Sequence, residues 1–199
     1  MTPMDWLFHA DFWTALGTMG TFIVVTVSAV AALVQLRHVR TANELQALLS
    51  VQHDFQEPDL QEALRYVQLE MPERMRDPAY RRELEKIGFV DPHKHPEMVA
   101  CNWFNHAGTL LKNQMVAERA FLDLFGRLVD YYWRLLEPTI AVLRRRRGPG
   151  QYESFEYLAM CAHRWRERFR DGTYPKDAPR LVLTDRFAEE DAAHATAGE

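Results

Sequence analysis

His93 and His95 flank Lys94, and Cys161 and His163 repeat the same one-residue spacing. Imidazole and thiolate are side chains that zinc takes, but a zinc site needs three or four of them converging as a tetrahedron. Residues i and i+2 of a helix point apart, so Cys161 and His163 do not face one ion. Solvated or core histidines are therefore expected, with no metal and no cofactor. Cys101 and Cys161 sit in apolar helical patterns and read as free, buried thiols. A disulfide between them would need an oxidising compartment. No Gly-x-Ser-x-Gly elbow, His-Glu-x-x-His helix or Walker loop is present, and Gly148-Pro149-Gly150 lacks the Lys-Ser/Thr of a phosphate cradle. Catalysis would have to come from scattered residues.

The arginines carry a second kind of chemistry. Arg144, Arg145, Arg146 and Arg147 form an unbroken run, and Arg164, Arg166, Arg168 and Arg170 alternate further on. Cations at a helix C-terminus complement its dipole and solvate a surface. The alternative is an anionic partner, and the nearest is an anionic lipid leaflet, at about 1 kcal/mol per basic residue. Arg144 to Arg147, Arg164 and Arg168 are the candidates for such a surface. Thr41 to Ala79 holds eight acids against three arginines and could pair with them instead. Net charge is −4, and the nearby aromatics fall on the core face, so nucleic acid is disfavoured.

These residues need elements to hold them, and the first element is apolar. Phe12 to Leu36 contains no Asp, Glu, Lys or Arg, and every Lys and Arg lies at or beyond Arg37. As a helix this run extends roughly 37 Å, longer than the ~30 Å hydrocarbon core of a bilayer. Trp6 and Trp13 stand where interfacial aromatics belong. Ala29-Val30-Ala31 resembles a signal-peptidase site, but Asp5 and Asp11 without any base, and the length of the run, argue for a transmembrane anchor. Arg37 and Arg40 flank its C-terminal end only, which places the N-terminus outside and the rest in the cytoplasm. Within the span Gly17, Thr21, Val24, Ser28 and Ala32 make a narrow stripe, extended by Gln35, that suits self-association in lipid.

Beyond the span the spacing is helical throughout. Leu45, Leu48, Leu49, Gln52 and Phe55 carry the first helix on until Glu57-Pro58. Leu60, Ala63, Leu64, Val67 and Met71 share one face of the next. Asp77-Pro78 reads as an N-cap and first helical residue, and Gly88 as a stop. Pro96 opens a helix with Val99, Trp103, Ala107 and Leu110 on its apolar face. Phe121, Leu124, Phe125, Leu128, Tyr132, Leu135 and Leu136 follow, with Pro138 expected to kink or end that helix, although Ile140 and Leu143 keep the helical spacing a little further. The last helix carries Phe155, Leu158, Ala162, Trp165 and Phe169. The expected fold is all-α, one N-terminal transmembrane helix continuing into a cytoplasmic bundle of about five to six helices. The divisions are residues 1–11 extracytoplasmic, 12–36 spanning, 37–170 helical domain and 171–199 a largely flexible tail anchored only by Leu181-Val182-Leu183.

The order of these pieces resembles a bacterial family of short membrane-anchored proteins known only as a domain of unknown function. The resemblance rests on Val34-Gln35-Leu36-Arg37, Asn43-Glu44-Leu45-Gln46, Trp103-Phe104-Asn105, Ala107-Gly108 and Leu111-Lys112. It continues through Leu124-Phe125-Gly126, Tyr132-Trp133, Ile140-Ala141-Val142-Leu143-Arg144 and Phe155-Glu156-Tyr157-Leu158, with His106 standing where such relatives carry an acid. It implies a bacterial plasma membrane and one helical domain, and it implies no activity.

Two functions stay open. The first is a membrane-tethered interaction or scaffolding module whose partners are the bilayer, a second copy and anionic headgroups, with no protein partner indicated. The second is a ligand sensor or enzyme with a pocket near His106 or Trp103.

Overall fold

The computed structural model describes residues 3–88 and 90–188, with side chains described from Trp13 onward. Trp6 and the end of the tail (residues 189–199) lie outside the described side chains and residues. Among those described, seven helices form: α1 Pro3–Phe55, α2 Pro58–Leu69, α3 Met71–Arg74, α4 Pro78–Leu84, α5 Glu97–Lys112, α6 Glu118–Arg147 and α7 Glu153–Arg168. The fold is all-α, a long apolar helix followed by packed helices.

Helix α1 has 53 residues, roughly 80 Å of unbroken helix. From Trp13 to Leu36 every side chain is exposed. Thr18, Thr21 and Thr26 turn their hydroxyls back to the carbonyls of Thr14, Gly17 and Phe22, at 2.8, 2.9 and 2.8 Å. That satisfies each hydroxyl within its own helix, the arrangement an apolar solvent requires. The far end behaves differently. Val51 is 1% exposed, and the Phe55 ring meets Trp103 and Phe125 at centroid distances of 5.2 and 5.5 Å. Of the series that carries the helix on, Leu45 and Leu49 are exposed, while Leu48 packs inward with Ala47 and Val51. The helix reaches the core only in its last turns, so a face drawn from spacing alone began too early.

A short turn at Gln56-Glu57 leads into α2. Pro58 sits in the first helical turn, where its missing N–H costs no hydrogen bond. Leu60, Ala63, Leu64, Val67 and Met71 are all buried. The interior is built mainly where α5 lies on α7, α6 on α7 and α2 on α5. Phe104 stacks on Phe155 at 4.7 Å across the first pair. Contact there is so close that a Cβ on Gly108 would lie 2.0 Å from the Ser154 carbonyl oxygen, so only glycine fits. Helix α6 runs through Pro138 without ending. Leu136, Thr139, Ile140 and Leu143 on either side are buried, and their packing outweighs the one backbone bond that proline removes. Leu124 is exposed, contrary to its place in the apolar series. Gly148, at φ +83°, stops α6 in a backbone conformation that favours glycine.

Residues Met1–Arg168 form one compact unit and Phe169–Glu199 a second. In the second, Leu181, Val182 and Leu183 are 87, 94 and 91% exposed, so they bury nothing. Within it, Tyr174 Oη donates to the Pro179 carbonyl at 3.0 Å.

Candidate functional site

The site is built where α2, α4 and the loop before α5 converge. Asp77 caps α4, its Oδ1 accepting from the Ala79 N–H at 2.8 Å, and this start sets Tyr80 and Glu83 one turn apart. Helix α5 begins at Glu97, directly after Pro96. The first turn of a helix favours a carboxylate, since its free N–H groups and dipole present positive charge. That allows Glu97 to be wholly buried.

A chain of polar groups runs through this point. Tyr66 and Tyr80 join their hydroxyls at 3.0 Å, and Tyr80 donates to Glu97 Oε1 at 2.5 Å. His95, 3% exposed, sets Nδ1 3.0 Å from the same oxygen and Nε2 3.5 Å from Glu83 Oε2. The imidazole ring also lies 4.6 Å from the Tyr80 ring. Glu97 Oε2 has no hydrogen-bond partner among the described residues. Burial first, then the bonds to Glu97 and Tyr66, push the Tyr80 phenol well above its ordinary range. Burial, and then Glu97, does the same to the Cys101 thiol, which stays protonated and unreactive. Tyr152 is raised by burial first and donates to Asn102 Oδ1 at 2.9 Å.

The outer face of this network is a cleft of about 790 Å³. Tyr66, Tyr80 and Glu83 line it beside Asp59, Glu62, Glu70, Arg65, Arg74, His93 and Lys94. The Arg74 guanidinium sits 5.7 Å from the Tyr80 ring centroid, in cation–π range. Neither His106 nor Trp103 lines this cleft: His106 is exposed elsewhere and Trp103 packs in the core. No group of three or more His, Cys, Asp or Glu among the described residues could hold a metal. Cys101 and Cys161 are free and buried.

The arginine run lies in the last turn of α6. Arg144 pairs with Glu156 at 2.7 Å and donates from Nε to the Gln151 carbonyl at 2.9 Å. Arg145 pairs with Glu85 at 2.7 Å, and Arg147 donates to the Lys86 carbonyl at 2.9 Å. Three of the four thus tie α6 to the segment after α4 and to the start of α7, while Arg146 is exposed. Arg164 and Arg168 are exposed on α7. Their neighbour Arg166 joins Arg134 on the Asp130 carboxylate, at 2.7 and 2.6 Å. Gly17, Thr21, Ser28 and Ala32 are exposed along α1.

Spacing placed His95 in a loop and left it open between a solvated and a core histidine, and it gave no hint of Glu97. The one available signal was a carboxylate directly after Pro96 at a helix start.

These features define a class: a packed helical domain continuous with a membrane-length apolar helix. The chain belongs to the family described as Domain of unknown function (DUF4760), whose model matches residues 22–165. No curated protein and no solved structure matches the chain. The match opens inside the apolar part of α1 and closes in α7, so the family unit includes both the exposed helix and the core.

Proposed function

We propose that this chain is a single-pass membrane-tethered interaction module of the bacterial plasma membrane, with its N-terminus outside and its helical domain in the cytoplasm. The observation that carries the reading is α1 itself. An apolar stretch with none of its most hydrophobic window buried continues, without a linker, into a helix end that is part of the domain core. Such a helix holds the domain close to the bilayer in a set orientation, which suits docking and scaffolding. Residues 12–36 form the span and 37–170 the working domain. Contact with anionic headgroups falls first to the exposed Arg146 and Arg164, because Arg144, Arg145 and Arg147 have intramolecular partners. Self-association through Gly17, Thr21, Ser28 and Ala32 completes the reading. Thr21 already bonds its own helix, so close approach at Gly17 and Ala32 would drive it. The test is a pair of reporters fused after residue 199. A cytoplasm-only reporter is expected to be active and a periplasm-only one silent; the reverse result removes the proposed orientation.

A second reading, a ligand sensor, is favoured by one observation. The cleft is backed by a buried Tyr–Tyr–Glu–His chain, an arrangement that ordinary packing does not need.

A further inference from the structure

We infer that the cleft between α2 and α4 binds a small organic cation, an amine or guanidinium compound, in competition with Arg74. The inference rests on the ligand-sensor reading and is independent of the membrane anchor.

Five carboxylates line the cleft against three cationic side chains. Asp77 is occupied as the α4 cap. Asp59, Glu62 and Glu70 make no ion pair among the described residues, and their charge faces the cleft. Glu83 makes its one recorded contact with His95, 3.5 Å away, and is itself half exposed. Two tyrosine rings join these carboxylates in the wall, and aromatic faces beside carboxylates are the usual surroundings of an organic cation. The chain demonstrates the fit with its own residue, since the Arg74 guanidinium stands over the Tyr80 ring. Arg74 has no carboxylate partner among the described residues, so the ring is its recorded contact. A free guanidinium or ammonium compound would take the same ring face and gain the neighbouring carboxylates.

The buried network holds the tyrosines for this task. Tyr80 is fixed on both sides, by Tyr66 and by Glu97, so its ring stands ready before a ligand arrives. Arg65 and Lys94, also in the wall, leave the cleft with more carboxylates than cations.

The experiment is isothermal titration calorimetry on the full chain in neutral-detergent micelles, with agmatine as probe and succinate as the anionic control. Agmatine is expected to bind and succinate not to. Glu83→Gln combined with Glu62→Gln is expected to weaken agmatine at least tenfold, with circular dichroism unchanged. Arg74→Ala is expected to tighten it several-fold, because the internal competitor is gone; a purely structural Arg74 would give no gain. Absence of agmatine heat, or an Arg74→Ala variant that binds no better, overturns the inference. Succinate binding that Glu83→Gln leaves intact also overturns it, while preserving the cleft as a ligand site of opposite chemistry. Silence from both probes removes the cation chemistry and leaves the sensor reading without support.

Discussion

The two ends of α1 are one helix in two environments. Trp13 to Leu36 exposes Phe22 at 72% and Leu33 at 62%, whereas Val51, four turns beyond Leu36, is 1% exposed and part of the hydrophobic core. Helical periodicity is the same throughout, so what differs is what surrounds the side chains. In the first region apolar groups face outward all round, which water penalises and lipid does not. In the second, burial is one-sided and supplied by protein. The lesson is that α1 belongs to two folding problems at once, and substitutions should divide accordingly.

The largest expected effect lies wholly on the protein side. Gly108→Leu forces α5 away from α7, since even a Cβ meets the Ser154 carbonyl. Loss of about 4 kcal/mol or more is expected, seen as an unfolded domain by near-ultraviolet circular dichroism. Under the proposed anchoring, membrane extraction should be unchanged, because the apolar part of α1 does not depend on that contact. Next comes Val51→Ala, expected to cost about 2 kcal/mol in denaturant unfolding. Val24→Ala, at 64% exposure, should leave domain stability within about 0.5 kcal/mol. Equal effects at the two sites would break the division.

Asp130→Ala sharpens the contrast between buried and exposed charge. Its carboxylate, only 11% exposed, receives Arg134 and Arg166 and couples α6 to α7. A loss of about 1–2 kcal/mol is expected, reduced by the partial exposure of both arginines. At high pH a related effect follows from Tyr80, Tyr152 and Cys101, whose folded-state pKa values lie above their ordinary ones. Their contribution to stability is complete below the ordinary values of 9.0 for the thiol and 10.0 for the phenols. It diminishes above them, where only the unfolded chain ionises. The melting temperature should therefore fall from about pH 9 upward, and Tyr80→Phe should flatten that fall.

The helices and their starts were legible because their signals are local. Pro58 in a first turn and Asp77 as a cap need no knowledge of the fold, and the uncharged run to Leu36 needs only counting. Pro138 shows the limit of a local rule: the helix does not end there, and Leu136 and Ile140 are buried on either side of it. The candidate site was less legible. Tyr66, Tyr80, His95 and Glu97 come from three separate segments, and nothing in the spacing of any one predicts that their polar atoms meet. The arginine run shows a third case. Its residue types were plain, yet Glu85, Glu156 and three loop carbonyls, of Lys86, Gly88 and Gln151, decide what most of it does.

The most direct test of a single helix shared by lipid and core is a nitroxide scan along residues 16–55 of the full chain in proteoliposomes. Accessibility to oxygen and to a water-soluble nickel complex would be read at each position. Residues 16–34 should be oxygen-accessible on every face apart from any self-association stripe, and closed to nickel. Past Arg40 nickel access should rise, and labels at Ala47, Leu48, Val51 and Phe55 should be immobilised with helical period. Nickel access across residues 20–32, or a loss of helical period between 37 and 46, would contradict the continuous span-to-core helix.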